Sequence, residues 1–286
     1  MSINKTNSLL FGLITTSLII SAVSIYKVSV TDDSLQKLQS SMNSGDFIRN
    51  NKKALISSFN EYEISKKKSQ IEDFISSKKL QYPMASNKVP KGKHIYGDIN
   101  ARFTLVVFSD LKCPYCQRYH KNPKTVVENS NGLVNWEFRH FPLNMHNPVA
   151  AQLAQATECV SGHTNNQTFW MFLDEVVIKP KLEGIEDLAR MVGANPQEFG
   201  KCMQSGQYQD VVLKDYKKGE ALGVSSTPYT IIVDNKTGNS MGMAGAQSPQ
   251  AIVSQIQSFK QRIDIELKET AITENKEKET ALSGNW

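Results

Sequence analysis

FTLVVFSDLKCPYCQRYH, residues 103–120, places two cysteines between a predicted strand and a predicted helix. Residues 103–108 form a β-branched and aromatic run, which is typical of a buried strand. The four residues after the second cysteine contain no glycine, and nothing breaks a helix before Pro123. Cys113 and Cys116 are therefore predicted to lie at a strand-to-helix junction, on the first turn of the helix.

This position favours redox chemistry at the cysteine pair. The unpaired amide N–H groups and the positive end of the helix dipole favour a thiolate over a thiol. Pro114 suits the first helical position, where its missing N–H would have no partner in any case. We interpret the pair as a redox-active dithiol, with Cys113 as the attacking sulfur and Cys116 as the resolving sulfur. The spacing alone equally fits half of a zinc site, but zinc normally needs four ligands and the sequence has no second Cys-x-x-Cys or Cys/His cluster.

The composition is that of an ordinary globular protein with a proper core. The chain has 286 residues, of which 40% are hydrophobic and 21% are charged. Its net charge of +5 is small for this length and gives no case for nucleic-acid binding. Four widely spaced cysteines exclude a small disulfide-framework protein, and they allow one redox pair plus one structural bridge in an oxidising compartment.

Residues 1–26 indicate export from the cytoplasm. Their segment 6–26 is uncharged, rich in Leu, Ile, Val and Phe, and flanked by lysines. It is either a cleaved signal peptide, with Ala22 and Ser24 at the right offsets, or an inner-membrane anchor of nearly the ~20 residues that a bilayer requires. In either case we expect the rest of the chain to lie in the periplasm or another extracytoplasmic space.

Residues 31–82 are predicted to form a helical extension with too few apolar residues for a core of its own. Apolar residues recur there in short stripes at helical spacing, one of which contains Ile56, Phe59 and Tyr62. Such a stripe has to pack on the main domain or on another copy of itself. We predict association, so that this region makes the protein a homo-oligomer. Residues 81–93 form the linker to the main domain.

The main domain is predicted to be α/β. After the cysteine helix, residues 133–138 alternate toward a second strand, which gives a β-α-β unit with a parallel pair. Residues 147–222 have helical patterns and suggest an inserted helical subdomain. A strand over 228–233, a partner strand and a last helix over 248–267 follow. Residues 271–286 are charged and mostly non-periodic, so we expect a disordered tail.

Several motifs together identify a family resemblance. They are Phe108-Ser109-Asp110, Cys113-Pro114-Tyr115-Cys116, Arg139-His140-Phe141-Pro142-Leu143, His146, and Gly223 to Pro228. With the long helical insertion, they resemble the DsbA family of secreted thiol–disulfide oxidoreductases. The resemblance covers roughly residues 92–268 and implies a thioredoxin fold with an inserted helical subdomain, preceded here by an N-terminal helical extension.

The resemblance implies two further features. It implies that a cis bond joins Thr227 to Pro228 and that this turn lies against the dithiol, where its backbone is open to a substrate peptide. The sequence alone does not favour this, because only about 5–6% of X-Pro bonds in folded proteins are cis. Cys159 and Cys202 match a pair that family members commonly have, and in an exported protein we expect them to be bridged. The alternative is two independently buried thiols.

Residues around the dithiol are assigned supporting roles. Asp110 is a candidate to relay the proton of Cys116 during exchange, or else it fixes its loop. Tyr115 is expected to set the redox poise through access and hydrogen bonding. His120 lies one turn beyond Cys116 and is interpreted as a surface histidine. We expect no metal and no organic cofactor.

The N-terminal helices resemble the oligomerisation region of ScsC-like members of the family, through Ile48-Arg49-Asn50-Asn51 leading into Leu55, Ile56 and Phe59. Such members tend toward disulfide isomerisation or keep copper-stressed proteins correctly paired, whereas monomeric members are oxidases. We predict disulfide exchange with unfolded or misoxidised secreted proteins, as oxidase, isomerase or both, and a membrane redox partner that recycles the dithiol. The alternatives are copper or other metal binding by the same thiols and an envelope chaperone.

Overall fold

The structure is a computed structural model, and it describes residues 36, 37, 40, 46–90 and 92–283. The predicted export segment and the first part of the predicted helical extension lie outside the described residues. Within the described residues, no helix combines the length and the apolar character needed to cross a membrane.

Strands and helices follow one another in the order that the sequence predicts. The strands of the described residues are β1 (His94–Tyr96), β2 (Phe103–Ser109), β3 (Val134–His140), β4 (Tyr229–Asp234) and β5 (Ser240–Ala244). The helices are α1 (Asp46–Gln81), α2 (Pro114–Tyr119), α3 (Lys121–Glu128), α4 (Val149–His163), α5 (Asn166–Ile178), α6 (Ile185–Met191), α7 (Pro196–Ser205), α8 (Gln209–Ala221) and α9 (Pro249–Ser283), with a 3-10 turn at Asn144–His146. The predicted α/β architecture with a helical insertion is confirmed.

β2 is the central strand of the sheet, whose strand order is β1-β3-β2-β4-β5. It pairs in parallel with β3, where Leu105 lies opposite Trp136, and in antiparallel fashion with β4, where Leu105 lies opposite Ile232. The parallel pair confirms the predicted β-α-β unit. All but one residue of β2 are buried, because both faces of the sheet are covered. This explains why β2 is mostly apolar and does not alternate strictly between apolar and polar residues.

Two apolar clusters cover the two faces of the sheet. Alternate residues of β2 divide between them, since Leu105 and Val107 belong to the larger cluster and Phe108 to the smaller one. The larger cluster also contains Val127 of α3 and Phe259 of α9. Burying one such large apolar side chain contributes ~1.5–3 kcal/mol. The end of β2 is therefore firmly held, and the loop that carries the cysteines starts from a fixed point.

A break at His120 separates α2 from α3. α2 ends at Tyr119 and α3 begins at Lys121. The ring of Pro123 would clash with the carbonyl four residues earlier, that of Tyr119, and a proline has no N–H to donate to it. The break between the two helices therefore lies one turn before the proline.

The insertion between β3 and β4 consists of α4 to α8. A disulfide joins Cys159 of α4 to Cys202 of α7, with Cα atoms 5.8 Å apart. The side-chain amide of Gln155 donates to the carbonyl of Met203 at 3.0 Å and links the same two helices. The disulfide therefore belongs to the insertion and is separate from the free cysteines of the dithiol.

The last helix is longer than the sequence predicts. α9 continues to Ser283. The predicted helix end near Leu267 is therefore wrong, and the predicted disorder is wrong for residues 271–283. Residues 284–286 lie outside the described part. Between the first residue of α9 and its last there is no glycine and no further proline, and the final turns are rich in Lys, Glu and Ala, which favour helix.

The two parts of α1 belong to different compact units, which divide at Lys68. In the second unit, Phe74 and Ile75 pack against the larger cluster. In the first unit, three apolar side chains at helical spacing are between 50% and 63% exposed, namely Ile56, Phe59 and Tyr62. One predicted stripe of the extension therefore packs on the main domain, and another is left facing solvent.

Candidate active site

The two free cysteines lie where β2 passes into α2. β2 ends at Ser109 and α2 begins at Pro114, so Cys113 caps the helix in an extended conformation with φ −74° and ψ 121°. The N–H of Cys113 donates to the carbonyl of Asp110 at 3.1 Å and closes the turn between strand and helix. Cys113 is 5% exposed, and Cys116, one turn along, is 3% exposed. The pair occupies the strand-to-helix junction that the sequence predicts.

Hydrogen bonds stabilise the thiolate of Cys113. The largest contribution comes from the Cys116 thiol, and the amide N–H groups of Cys116 and Tyr115 add to it. These donors outweigh the burial of the sulfur, which acts in the opposite direction, and lower the pKa of Cys113 to about 5. At neutral pH, Cys113 is therefore the thiolate of the pair.

Cys116 is the protected partner. Its burial and the hydrogen bond that it gives to Cys113 raise its pKa far above the usual range for a thiol. The backbone N–H of Asp110 donates to the Cys116 sulfur at 3.4 Å. This sulfur consequently stays protonated next to Cys113, and the N–H of Asp110 is among the donors that would stabilise it as an anion.

The loop before β4 lies against the sulfur of Cys113. The Cys113 thiol is 3.6 Å from the carbonyl oxygen of Thr227, to which it donates in its protonated form. The bond between Thr227 and Pro228 is cis, the arrangement that the family resemblance implies. A main-chain acceptor therefore lies next to the sulfur of Cys113.

Asp110 is buried beside the dithiol, with 1% of its surface exposed. Its carboxylate accepts three hydrogen bonds: from the N–H of Lys112 at 2.7 Å, from the N–H of Leu143 at 2.8 Å and from Nδ1 of His146 at 2.7 Å. From the sequence, Asp110 is predicted either to relay the proton of Cys116 or to fix the loop in which Asp110 lies. Its three partners agree with the second role, because each is a donor that holds the side chain in place.

Tyr115 forms the exposed edge of the site. Its side chain is 59% exposed, and the guanidinium of Arg118 lies 4.6 Å from the centre of its ring. Lys112, on the other side of the cysteines, donates to the carbonyl of Pro180 at 3.1 Å. The surroundings of Cys113 at the surface are thus aromatic and basic. The expected influence of Tyr115 on redox poise stays a prediction.

His120 is not the surface histidine that the sequence suggests. It is 5% exposed and meets the ring of Trp136 edge-on, with the ring centres 5.4 Å apart. Burial lowers its pKa to about 4, against the attraction of Asp174 at 3.6 Å. His120 lies between α2 and α3, and its side chain is directed into the core.

His146 is the site residue that sequence reasoning leaves without a role. It lies on the 3-10 turn after β3, and its contact with Asp110 joins two segments 36 residues apart. The motif match at His146 was the only signal of its importance. A contact of this separation depends on the parallel pairing of β2 with β3, which brings both loops to the same edge of the sheet.

A surface cavity of about 520 Å³ lies beside the loop that leads to Thr227. Its lining comes from the 3-10 turn region, from α8 and from the loop itself, namely Phe141, Leu143, Asn144, Tyr216, Glu220, Gly223, Val224 and Ser225. One charged side chain and several apolar ones line it, a composition that suits a neutral or apolar peptide segment. In the described part of the chain, no group of three or more His, Cys, Asp or Glu side chains is arranged to hold a metal ion.

Comparison with known proteins identifies the family. The thioredoxin family model matches residues 89–277, which is more than half of the chain, and the chain belongs to the thioredoxin family. Within it, the fold is that of the DsbA-like thiol–disulfide oxidoreductases. DsbA2 of Pseudomonas aeruginosa matches with a TM-score of 0.51 and 26% identity over 60% of this chain and 96% of that chain.

Two further solved structures share the fold. BdbD of Bacillus subtilis in its oxidised form matches with a TM-score of 0.51 and 20% identity, over 61% of this chain and 96% of that chain. The α-DsbA1 protein of Wolbachia pipientis matches with a TM-score of 0.51 and 17% identity, over 63% of this chain and 96% of that chain.

Partial matches to much longer proteins also occur. A Na(+)/H(+) antiporter NhaA of Herminiimonas arsenicoxydans is 26% identical over 150 residues, which are 51% of this chain and 23% of the antiporter. An NhaA 1 antiporter of Mycolicibacterium gilvum is 26% identical over 152 residues, or 51% of this chain and 24% of the antiporter. The chain therefore spans about a quarter of the length of the curated relatives that it matches.

Proposed function

We propose that this protein catalyses thiol–disulfide exchange through Cys113 and Cys116. The observation that carries the proposal is the contrast between the two thiols: hydrogen bonds lower the pKa of Cys113 to about 5, whereas burial raises the pKa of Cys116. Cys113 is then a nucleophile at neutral pH, and Cys116 remains a protonated thiol that can react in the second step. A two-step exchange through a mixed disulfide requires this division.

In the oxidising direction, a substrate thiolate attacks the Cys113 sulfur of the Cys113–Cys116 disulfide. The bond between the two cysteines breaks, and Cys116 leaves with the electron pair and takes up a proton. A second substrate thiolate attacks the substrate sulfur of the mixed disulfide and releases Cys113 as a thiolate. The substrate loses two electrons and gains a disulfide, and the dithiol takes up those electrons. The reverse sequence reduces or rearranges a substrate disulfide.

We assign the oxidising direction as the main one. A hydrogen-bonded Cys113 thiolate stabilises the reduced protein, and a more stable reduced form makes the corresponding disulfide a stronger oxidant. The substrates are unfolded or misoxidised secreted proteins. The Thr227 carbonyl beside the Cys113 sulfur is an acceptor for an extended main chain, and the cavity next to it has apolar walls for neighbouring side chains.

We further propose that this chemistry takes place in the periplasm or another extracytoplasmic compartment. The disulfide between Cys159 and Cys202 is of a kind that persists in oxidising compartments, and the predicted export segment, residues 1–26, agrees with this location. A membrane redox partner reoxidises the dithiol after each turnover, because the substrate electrons have to leave Cys113 and Cys116.

A second candidate function, disulfide isomerisation by an ScsC-like oligomer, is favoured by one observation. The apolar side chains of Ile56, Phe59 and Tyr62 are exposed along α1, and a second copy of the same helix would cover such a stripe. An oligomer through residues 31–82 holds several dithiols near one substrate, which suits rearrangement of wrong disulfides.

Two serine variants test the exchange mechanism. Cys113→Ser should abolish oxidation of reduced ribonuclease and refolding of scrambled ribonuclease, since no thiolate remains to form the mixed disulfide. Cys116→Ser should accumulate mixed disulfides that mass spectrometry detects on Cys113, because nothing resolves them. Wild-type protein alkylated at Cys113 is the matched control. Full activity of Cys113→Ser would disprove the mechanism.

Refolding of scrambled ribonuclease also separates the two candidate functions. A variant lacking residues 31–67 should keep oxidase activity and lose isomerase activity if the extension brings copies together. Isomerase activity that is equal in the shortened and complete chains would contradict a role for the extension.

A further inference from the structure

His146 is tied to the dithiol through a single buried carboxylate. Its Nδ1 lies 2.7 Å from Oδ2 of Asp110. The side chain of His146 is 21% exposed, whereas that of Asp110 is fully buried. The imidazole thus reaches from the surface of the 3-10 turn to a group that solvent does not touch.

Asp110 in turn contacts both cysteines through its backbone. Its N–H donates to the Cys116 sulfur at 3.4 Å, and its carbonyl accepts from the N–H of Cys113 at 3.1 Å. The side chain of Asp110 is hydrogen-bonded to the loop after β3, and its peptide groups are hydrogen-bonded to the two cysteines. The hydrogen bonds that hold the Asp110 side chain therefore also restrain the residue whose N–H faces Cys116.

We propose that His146 is a positioning residue for the resolving cysteine, acting through Asp110. The inference rests on the exchange function proposed above and adds a residue to it. An ionised carboxylate accepts hydrogen bonds only, so Nδ1 of His146 carries the proton and donates. Of the three donors to the carboxylate, His146 provides the side-chain donor, and hydrogen bonds to a carboxylate are stronger than those between neutral groups.

The step that depends on this arrangement is the resolution of the mixed disulfide. Cys116 loses its proton to water and attacks the Cys113 sulfur, the bond between Cys113 and the substrate sulfur breaks, and the substrate thiolate leaves with the electron pair. Negative charge develops on the Cys116 sulfur before the attack. The N–H of Asp110 stabilises that charge in a buried position, where a fixed donor has its largest effect.

The test compares variants of the complete chain in single-turnover reduction of a peptide disulfide, with the mixed disulfide trapped by acid and quantified by mass spectrometry. His146→Ala should slow decay of the mixed disulfide about tenfold, the effect of losing one charge-assisted hydrogen bond. His146→Asn should stay within about threefold of wild type, because the amide nitrogen of Asn replaces Nδ1. His146→Gln should behave like His146→Ala, because its amide replaces Nε2 instead. Met145→Ala is the matched control, since its side chain is 82% exposed on the same turn.

A second measurement excludes a merely structural effect. The rate at which iodoacetamide alkylates Cys113 should stay within about twofold in every variant, since His146 acts on the resolving sulfur. Equal mixed-disulfide lifetimes in wild type and His146→Ala would overturn the inference, as would an Asn variant as slow as the Gln variant. If His146→Ala fails to fold, the Asn and Gln pair decides alone. Absence of any mixed disulfide in Cys116→Ser, in which nothing resolves it, would instead disprove the exchange function itself.

Discussion

Cys113 and Cys116 have the same chemistry and different surroundings. Cys113 caps α2 and receives hydrogen bonds from the partner thiol and from two amide groups, whereas the surroundings of Cys116 are dominated by burial. Because a thiolate is the nucleophile in exchange, the reactivity of the pair at neutral pH belongs to Cys113. A proton on Cys116 contributes to this, since it provides the largest of the hydrogen bonds to Cys113.

The pH dependence of alkylation tests this assignment. In the reduced protein, the rate of Cys113 alkylation by iodoacetamide should rise with a midpoint at about pH 5 and be constant at neutral pH. Cys116→Ala should move the midpoint upward toward the ordinary thiol value of 9.0, because the largest stabilising hydrogen bond is lost. An unchanged midpoint in Cys116→Ala would contradict the role given to the partner thiol.

The same pKa makes the stability of the reduced form depend on pH. The folded pKa of Cys113 lies below its unfolded value. The resulting stabilisation of the reduced form is complete above the ordinary thiol pKa and declines as pH falls, until it is lost at about pH 5. Urea unfolding of the reduced protein, compared with Cys113→Ser at several pH values, should show the difference between the two proteins shrink as the solution is made more acidic.

The sequence predicts that both cysteines lie at a strand-to-helix junction, because the residue patterns of a strand and of a helix start are local signals. It does not predict the burial of His120 or the contact between His146 and Asp110. Both depend on how elements meet. His120 is enclosed by Trp136 of β3 and Asp174 of α5, and the pairing of β2 with β3 brings the 3-10 turn to the cysteine loop. No local pattern records such relations.

At the scale of elements, Glu158 connects α4 to the sheet. Its carboxylate lies 2.8 Å from Nε2 of His94 in β1 and 3.0 Å from Nε2 of His140 at the end of β3. Burial alone would raise the pKa of Glu158, but the two imidazoles outweigh it and hold the pKa well below the usual range. The carboxylate therefore stays charged while it is almost completely enclosed.

Removal of this carboxylate should destabilise the fold. Glu158→Ala leaves two buried imidazoles without their partner, and we expect the free energy of unfolding to fall by ~3 kcal/mol in urea titrations at neutral pH. Glu183→Ala is the control, since Glu183 has an 86% exposed side chain and a surface ion pair, for which we expect a change within ~0.5 kcal/mol.

The contribution of Glu158 to stability depends on pH. Because its folded pKa is depressed, this contribution is complete above the unfolded carboxyl pKa, declines below that value and is lost as the pH falls through the folded pKa. Equal stability of Glu158→Ala and wild type would contradict this role.

The extra turns of α9 should contribute little to the stability of the domain. Ile263 is 2% exposed, whereas Ile265 and Leu267 are 54% and 43% exposed. A chain ended after Lys268 should keep its Tm within ~2 °C in a thermal melt, because the buried face is intact. A chain ended after Arg262 loses the buried Ile263 and should be less stable by ~1.5–3 kcal/mol. A large loss of stability in the chain that ends after Lys268 would contradict this, because it would show that the last turns of α9 make stabilising contacts.

For the whole molecule, the exposed stripe of α1 decides whether copies associate. Phe59→Asp places a charge in the middle of this stripe and should shift the protein toward the monomer in analytical ultracentrifugation. Glu61→Lys is the matched control, because helical spacing puts it on the opposite face. Identical sedimentation of wild type and Phe59→Asp would contradict association through this stripe.

The parallel pair of β2 with β3 and the helical insertion were within reach of the sequence, because strand alternation, turn residues and helical spacing are each strong signals. The length of α9 was not, since Lys- and Glu-rich residues without a clear apolar stripe suit a solvated helix as well as a disordered tail. A charged composition shows that a segment lacks a core of its own, and it leaves the backbone conformation open.

The four cysteines of the chain form two pairs with different surroundings. All four are buried, but Cys159 and Cys202 are bridged within the helical insertion, whereas hydrogen bonds stabilise Cys113 as a thiolate and so make a Cys113–Cys116 disulfide easier to reduce. Mild reduction of the oxidised, folded protein should therefore liberate two titratable thiols per chain, and the same reductant in denaturant should liberate four. If the proposed exchange takes place, repeated opening of the Cys113–Cys116 disulfide would leave the Cys159–Cys202 bridge between α4 and α7 intact.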